Sequence, residues 1–452
     1  MGLFRNDLSA SILKSRVGIS GVGILLCLIL VSAFTVIFIP LDTYKQWNNP
    51  SSWTLFPRSA LPSWVNVFLV KKIPEHQLLE NTQTAIQTDQ DTRKIIQNFE
   101  TNYSFDYFPN DFIYQYMVEY QGTPVLEFDV TRPDGITLHL LSYSLPDLKS
   151  KSVFADKVFS TNESIRKNIL LASDKFAFPI NNMPIEEVIF SKLSMHEVLK
   201  GKYTFVIKIS TTDTQSAIHD SKLIIGGKVF GLIGTDEQRR DLAIGLLWGT
   251  PLALFIGITV SVASVLSGLI YGVFAGYSGG KTDESMMRFN DIIYALPALP
   301  FLIILAVTIS NSIFLMIGFL MIFGWVGIAK VSRSMALQIK NKQFVEASKT
   351  MGQKRSKIIF KHIIPQIMPY ALASIAISVP AAITTEAGLS FLGLGDPSFP
   401  TWGQILHDAS THGAVTRGLW WWVIPPGIMI TITGLAFVFV GNSLNSSARI
   451  KS

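Results

Sequence analysis

The sequence is poor in cysteine and in charged residues. Cys27 is the only cysteine among 452 residues, which excludes a framework of disulfides within the chain. Only 15% of the residues are charged, whereas 48% are hydrophobic. This composition is too apolar for an ordinary soluble protein of several domains, and it indicates a membrane protein.

Six stretches of the chain are long and apolar enough, or nearly so, to cross a membrane. A helix needs about 20 apolar residues to span the hydrocarbon core. The predicted spans are residues 17–39, 250–275, 286–309, 313–331, 367–392 and 420–440. The first run is longer than the core of a signal peptide and no Ala-x-Ala site follows it, so we expect it to remain as an anchor.

Lysine and arginine in short flanking segments resist translocation and therefore indicate the cytoplasmic side. The densest basic cluster follows the fourth span and contains Lys330, Arg333, Lys340, Lys342, Lys349, Lys354, Arg355, Lys357 and Lys361. The other basic groups at short connections and ends are Arg5, Lys14, Arg16, Lys281, Arg288, Arg449 and Lys451. With six spans, all of these lie on one side. The sequence thus predicts a multi-pass plasma-membrane protein with both termini cytoplasmic and residues 41–230 outside.

The long segment at residues 41–230 has the pattern of a strand-rich domain. In VLEFDVTRPDGITLHL, Phe128 and Val130 alternate with polar residues, and the tripeptide that begins at Pro133 is typical of a turn. The run KYTFVIKIS repeats the alternation. The predicted fold is an α-helical polytopic membrane protein with six transmembrane helices and an extracytoplasmic α+β domain inserted between the first two. The predicted segments are 1–40 with the first span, 41–230 with the inserted domain, and 231–452 with five further spans.

The basic connection at residues 340–365 is predicted to form a short helix, a turn and a second helix. One face of the first helix is formed by Phe344, Ala347, Ser348 and Met351. Gly352 is expected to end this helix with a positive φ, and Pro365 to end the second one. The apolar face of the second helix is expected to contain Ile359, Phe360, Ile363 and Ile364. Period and charge alone leave two interpretations equally open: a loop that only determines topology, and a helix bound in a partner's groove.

The order of residues in this connection resembles the cytoplasmic loop of ABC importer permease subunits, in the dipeptide, oligopeptide and nickel branch. That loop reads Glu-Ala-Ala, three residues, glycine, and then an end similar to His-Ile-Leu-Pro. The matching residues here are Glu346, Ala347, Gly352, His362, Ile363 and Pro365. Ser348 and Ile364 are mild substitutions within the same pattern.

Further segments resemble the same family in the same order. GTDEQRRD at residues 234–241 is similar to the family's GTDELGRD, from which Gln238 and Arg239 depart. Other similar segments are AGYSGG at 275–280, EAGLSFLGLG at 386–395 and PTWG at 400–403. The main departure is the long insertion, because relatives usually have a short connection there. PSSWTLFP near Pro50 and GTDEQRRD resemble two halves of that connection.

The resemblance implies a non-catalytic permease subunit. Its implied partners are a second homologous permease, two cytoplasmic ATPase subunits, an extracytoplasmic substrate-binding protein and membrane lipid. ATP and Mg would be bound by the ATPase chains, and neither a cofactor nor a nucleic acid is expected for this chain. Peptides are the default substrate, while oligosaccharides and nickel remain open.

The resemblance also implies a role for the loop, which would act as a coupling helix docked in a cleft of an ATPase. Glu346 would be its polar anchor, Ala347 and Ser348 its close-contact face, and Gly352 its turn. The other loop residues expected to take part in coupling are Met351, His362 and Pro365.

Two further motifs are candidates for sites of chemistry. AGYSGGKT at residues 275–282 fits a loose phosphate-binding loop, but it closes a predicted span instead of following a strand, so ATP hydrolysis is expected in another chain. Residues His407, Asp408 and His412 match no established ligand spacing, and no metal site is predicted.

Two carboxylates lie in or near the predicted spans. Glu386 is a candidate path or gate residue, with structural hydrogen bonding near Gly388 and Gly393 as the favoured alternative. Asp291 is expected to pair with Arg288 three residues earlier.

Two other classes of function were compared with the permease. A membrane receptor is expected to carry a cytoplasmic signalling domain, for which the sequence offers a short tail after Val440. An intramembrane enzyme needs paired carboxylates, a Ser/His set or metal ligands, which the isolated Glu386 and Asp291 do not supply. The inserted domain could dock a binding protein, cover the path or contact the cell envelope.

Overall fold

The computed structural model describes residues 15–89, 92–308 and 311–449, which form two compact units. The first comprises Met1–Asn49 and Ala243–Ser452, and the second is Pro50–Leu242. The second unit therefore starts and ends later than the predicted segment 41–230. The basic residues Arg5, Lys14 and Lys451, and Ile309 at the end of a predicted span, lie outside the described residues.

The helices are numbered along the chain. In the first unit they are α1 (Arg16–Phe38), α2 (Leu41–Lys45), α7 (Leu242–Ser278), α8 (Gly280–Ala295), α9 (Ala298–Thr308), α10 (Ile313–Lys340), α11 (Gln343–Thr350), α12 (Arg355–Ile358), α13 (Ile364–Leu389), α14 (Trp402–Thr411) and α15 (Trp420–Arg449). In the second unit they are α3 (Pro50–Trp53), α4 (Val65–Phe68), α5 (Glu163–Leu170) and α6 (Ile185–Phe190). The first unit is thus helical throughout its described elements.

Among the described residues, five helices are long and apolar enough to cross a membrane, and there are six if a bent pair counts as one span. The bent pair is α8 with α9, whose axes differ by 69°. The predicted third span, residues 286–309, is therefore a broken helix. Pro297 lies in the break and has no N–H to donate, and the preceding Leu296 has the extended backbone that proline favours.

Small residues allow α7 and α10 to pack closely. Gly268, Gly272 and Gly276 lie four residues apart on α7 and face α10. A Cβ atom at Gly272 would lie 2.2 Å from the carbonyl oxygen of Ala329. This small-xxx-small spacing is a common way for membrane helices to approach each other at the level of the backbone.

The second unit is built from two antiparallel sheets. The strands are β1 (Gln77–Glu80), β2 (Gln83–Asp89), β3 (Thr92–Tyr103), β4 (Asp111–Gly122), β5 (Val125–Thr131), β6 (Thr137–Ser144), β7 (Leu148–Phe159), β8 (Gly201–Thr211) and β9 (Ala217–Gly226). One sheet has the order β1-β9-β4-β7, and the other has the order β2-β3-β8-β5-β6. Neighbouring strands in each sheet are often far apart in sequence.

Alternating apolar residues form the core between these sheets. Phe128 and Val130 on β5 are buried, as are Phe205 and Ile207 on the paired strand β8. Aromatic rings join the two sheets, for example those of Phe112 and Phe128, whose centroids lie 6.0 Å apart at 87°. The alternation predicted from the sequence is confirmed, because residues of one parity face the opposite sheet.

The two halves of the connection split by the insertion lie side by side in the second unit. The backbone N–H of Ser59 donates to the carbonyl of Asp236, and that of Ala60 donates to the Thr235 hydroxyl. Both bonds are 2.9 Å long. The Thr235 hydroxyl donates in turn to the carbonyl of Pro57 at 2.7 Å. These bonds explain why residues 231–242 group with the strand-rich unit. The sequence had predicted that they belong to the segment with the membrane helices.

Arg239 holds the split connection against the inserted strands. Its φ is +67°, in the region that favours the glycine found at this place in the family pattern. Its guanidinium donates to Asp111 on β4 at 2.9 Å and to the carbonyl of Phe56 at 2.8 Å. The departure from the family pattern therefore coincides with a contact to the insertion.

The stability of the strand-rich unit is expected to depend on pH through Glu186 on α6. Burial raises the pKa of Glu186 to about 7, and the nearby carboxylates of Asp111 and Glu187 act in the same direction. Because the pKa of Glu186 is higher in the folded state than in the unfolded state, its protonated carboxyl stabilises the fold fully below about pH 4.5. This contribution to the free energy of unfolding is lost as the pH rises through about 7. Glu186→Gln should lack this loss, so its stability relative to wild type should rise by up to about 3 kcal/mol across that range.

Thermal unfolding of the full chain and of the Glu186→Gln variant from pH 5 to 8 checks this expectation. Burial lowers the pKa of His76 to about 4, so His76 contributes a stability change of the opposite sign between about pH 4 and 6.5. The difference between the two proteins, in which the His76 contribution cancels, is therefore the quantity to compare. Parallel pH profiles would contradict the assignment.

Candidate functional site

The basic connection of the first unit contains α11 followed by a tight turn at Gly352. Gly352 has a φ of +74°, and its N–H donates to the carbonyl of Lys349 at 2.9 Å. The N–H of Gln353 donates to the carbonyl of Ser348 at 3.2 Å. This pair of bonds is a Schellman motif, and the predicted positive φ is confirmed.

One face of α11 is anchored in the protein by Val345 and Ser348, both of which are buried. Val345 belongs to an apolar cluster with Val273 of α7, Ile339 of α10 and Ile363. The cluster contains residues from three membrane-spanning helices and the connection between them. A displacement of α11 must therefore be transmitted to these helices, since packed interiors resist local deformation.

The opposite face of α11 is open to solvent. Phe344, Ala347 and Met351 are exposed, Met351 by 70%. The prediction that Ser348 shares this face is wrong, because Ser348 points inward with Val345, three residues earlier, and donates to the carbonyl of Phe344 at 2.8 Å. Helical spacing placed Ser348 at the border of two faces, and the packing of the helix decided between them.

The second half of the connection runs into the next membrane helix without a break. Residues Ile359–Ile363 form a π-turn between α12 and α13, and the stretch Arg355–Leu394 is a single candidate span. The prediction that Pro365 ends a helix is therefore wrong. Pro365 lies in the first turn of α13, where its missing N–H is tolerated. The π-helical residues before it interrupt the regular pattern of α-helical hydrogen bonds.

Side chains of the second half divide between the interior and solvent. Ile359, Ile363 and Ile364 are buried as predicted, but Phe360 is 60% exposed and does not belong to their face. The Nε2 atom of His362 lies 3.1 Å from the amide oxygen of Gln353. This contact joins the π-turn to the residue after Gly352 and braces the turn.

Tyr277 at the end of α7 is a residue that the sequence interpretation missed. The ammonium groups of Lys349 and Lys340 lie 5.5 and 5.9 Å from its ring centroid, within the range of cation–π attraction. Val345 was missed as well, although its spacing of three residues from Ser348 was a signal for a second helical face. Nothing in the local sequence pointed to Tyr277.

Ion pairs connect α8 to α10 on the same part of the unit. The guanidinium of Arg333 binds the Asp283 carboxylate with two bonds of 2.6 and 2.7 Å. Asp291 pairs with Lys330 at 2.8 Å, so its predicted pairing with Arg288 is wrong. Lys330 reaches Asp291 from the neighbouring helix, a partner that spacing along one helix cannot reveal.

Glu386 is buried near the end of α13, where two of the family-like segments meet. The Ser390 hydroxyl donates to the Glu386 carboxylate at 2.8 Å. A Cβ atom at Gly403 would lie 2.6 Å from the Ala387 backbone. These contacts favour the structural alternative for Glu386, while its role as a path or gate residue stays a prediction.

The loose phosphate-binding motif and the histidines His407 and His412 both have surroundings that the structure describes. The segment at residues 275–282 joins helix α7 to helix α8, so the strand that a phosphate-binding loop needs is replaced by a helix. His407 Nδ1 lies 2.9 Å from the Phe391 carbonyl, and His412 Nδ1 lies 2.8 Å from the Asp408 carbonyl. Within the described ranges, no three His, Cys, Asp or Glu residues are placed to hold a metal ion.

Comparison with known proteins agrees with this architecture. Residues 268–447 match the family described as binding-protein-dependent transport system inner membrane component. The oligopeptide transport system permease protein OppC of Bacillus subtilis is 40% identical over 215 residues, which cover 47% of this chain and 70% of the relative. This chain belongs to that permease family. The dipeptide transport system permease protein DppC of the same organism is 39% identical over 215 residues, 47% of this chain and 67% of the relative.

The segment that matches the family model covers only part of this permease. It contains the basic connection and Glu386, whereas the strand-rich unit Pro50–Leu242 lies wholly outside it. A solved structure of the MetNI methionine ABC transporter, in an inward-facing conformation, aligns with 46% of this chain and 95% of the other at 18% identity and a TM-score of 0.36. With its several apolar helices, the permease is a multi-pass protein of the inner membrane.

Proposed function

We propose that this chain forms half of the translocation path of an ATP-driven peptide importer and is driven through α11. The observation that carries the proposal is the two-sided packing of this short helix. Val345 joins it to the apolar cluster that contains residues of three membrane helices, while Phe344 and Met351 remain exposed. A rigid helix with one anchored face and one free apolar face fits a partner's groove.

The exposed face of α11 has the composition of an interface. Phenylalanine and methionine are enriched in the centres of protein interfaces, and Ala347 between them allows close approach. Glu346 lies on the exposed side and supplies the polar anchor. Gly352 sets the direction in which the chain leaves the docked helix, and His362 braces this turn.

The partner and topology of the permease follow from the same proposal. A second homologous permease completes the path, two ATPase subunits bind ATP and Mg, and an extracytoplasmic binding protein delivers substrate. This chain has no catalytic role. Both termini and the basic connection lie in the cytoplasm in this proposal, and the strand-rich unit lies outside. Six spans, with α8 and α9 counted as one, and the position of the basic residues support this orientation. The relatives named as oligopeptide and dipeptide permeases support peptides as the substrate.

Site-specific cross-linking tests the docking of α11. Cys27 is the only native cysteine, so a Cys27→Ser background carries one engineered thiol at a time. Met351→Cys should cross-link to an ATPase subunit in the assembled transporter. Met195→Cys, at an exposed methionine in the strand-rich unit, is the matched control and should not. Cross-linking of Met195→Cys alone would contradict the proposal.

A charge at the same position tests its energetic role. Met351→Asp should reduce ATP-driven peptide uptake in proteoliposomes about fivefold or more, because a carboxylate must be desolvated in the docked interface. Met195→Asp should leave uptake unchanged. Equal uptake by the two variants would count against docking through α11.

A further inference from the structure

The strand-rich unit has an uncovered strand edge that none of the preceding functions uses. Strand β1 ends at Glu80 and pairs only with Lys222–Ile225 of β9. Strand β9 begins at Ala217 and pairs with β4 along its other side. Among the residues that the structure describes, Ala217–Ser221 therefore has a strand neighbour on one side only. An open edge of this kind presents N–H and C=O groups to an added strand.

A polar cleft of about 260 Å³ lies at this uncovered edge. Its walls are formed by the end of β1, by β9 and by Gln97, which points in from β3 of the opposite sheet. The register of β4 and β9 shifts between Met117 and Val118, so His219 is an extra residue on β9 at the cleft. Such bulges bend an edge and redirect its side chains.

The side chain of Gln97 presents an unsatisfied hydrogen-bond acceptor at the cleft. It is only 5% exposed, and its Oε1 atom has no hydrogen-bond partner in the described part of the chain. A buried acceptor without a donor is costly, and native structures rarely retain one. Gln97 lines the cleft, so a ligand with an N–H group can satisfy it.

The charge of the cleft indicates which donor fits best. Glu80 and Asp220 both line it. Asp220 lies 3.2 Å from the Lys222 ammonium, whereas Glu80 has no ion-pair partner in the ranges that the structure covers. Lys222, the cross-strand partner of Glu80, lines the cleft as well, so the lining has two carboxylates and one ammonium group. This excess of negative charge and the buried acceptor favour a cationic donor, and an ammonium group offers three N–H bonds.

We propose that this cleft binds an extended peptide that carries an ammonium group. The peptide backbone continues the line of β1 and pairs with β9 over Ala217–Ser221. The ammonium group donates to Gln97 Oε1 and faces the Glu80 carboxylate. Main-chain pairing supplies affinity for many sequences, and the ammonium contact sets the position of the peptide. This inference goes beyond the permease function and does not depend on it.

Calorimetric titration of the full chain in lipid nanodiscs tests the site with defined peptides. The probe is Thr-Val-Thr-Val-Thr amide with a free amino terminus. Acetylation of the terminus should weaken binding about tenfold or more, the range for a hydrogen bond to a charged group. An acetylated peptide with lysine at the first position distinguishes a side-chain ammonium from a terminal one. Methylation of alternate backbone nitrogens should abolish binding, because it removes the donors that pair with β9.

Variants of Gln97 separate the acceptor from general effects on folding. Gln97→Met keeps the volume, removes the acceptor and should weaken binding of the free peptide about tenfold. Gln97→Glu should strengthen binding, a gain that a misfolded protein cannot show. Gln87→Met on β2, which is exposed outside the cleft, should change nothing.

Three results would overturn the proposal. They are no binding of the free peptide to the wild type at millimolar concentration, equal affinity for the backbone-methylated peptide, and unchanged affinity in Gln97→Met. The last two would place any peptide at a different surface of the protein.

Discussion

Replacing Gly352 by valine is expected to reduce ATP-driven uptake about tenfold or more while leaving membrane insertion intact. Gly352 has a φ of +74°, and a Cβ atom built there meets no other atom within 4 Å. The added side chain therefore causes no clash, and the effect arises from the backbone alone. A left-handed conformation costs about 1–2 kcal/mol for an ordinary residue, and branching at Cβ makes it still less favourable.

Gly352→Asn is the matched control for this substitution. Asparagine adopts the left-handed conformation more readily than other residues with a side chain and occurs at helix C-termini in this position. Uptake by proteoliposomes that contain the complete transporter should fall in Gly352→Val and remain near wild type in Gly352→Asn. If both variants transport equally well, the shape of the turn after α11 is not needed for coupling.

Replacing Arg240 by methionine is expected to destabilise the strand-rich unit by about 3–5 kcal/mol. The Arg240 Nε atom lies 2.5 Å from Asp236 Oδ2, and the two side chains are 2% and 0% exposed. Asp236 also accepts the backbone N–H of Arg240 at 2.8 Å. The variant therefore leaves a carboxylate inside the protein without its guanidinium, which is far more costly than the loss of a surface ion pair.

Two further variants make this prediction specific. Lys192→Met removes one partner of the exposed Lys192–Glu197 pair and should cost less than about 1 kcal/mol. Arg240→Met combined with Asp236→Leu should recover part of the lost stability, because no uncompensated charge remains. Thermal unfolding of the full chain, together with hydrogen exchange in residues 54–61 and 228–241, measures these effects. Similar losses in Arg240→Met and Lys192→Met would contradict the assigned role.

The basic connection at residues 340–365 shows how much local sequence patterns can predict. The turn at Gly352 was predictable because a positive φ and two short-range hydrogen bonds decide it. The burial of Ser348 was not, because helical spacing cannot say which face of α11 meets the protein. The prediction that Pro365 ends a helix failed for a related reason. Proline removes one hydrogen bond from a helix but is tolerated in the first turn.

Contacts between segments that are distant in the chain were the least predictable. The pairing of Asp291 with Lys330 depends on how α8 lies against α10. The close packing of Gly403 against the backbone of Ala387 depends on the return of the chain after α13. Spacing within one helix carries no information about either contact.

The amino-acid sequence by itself determined the apolar spans, the strand alternation, the glycine turn and the resemblance to permeases, because each depends on residues within one segment. The tertiary structure alone decided which face of α11 is anchored, where the strand-rich unit ends, how its strands are ordered and which edge of β9 lacks a neighbouring strand among the described residues. These features depend on contacts between residues far apart in the chain, whose free energy exists only after the segments have packed together.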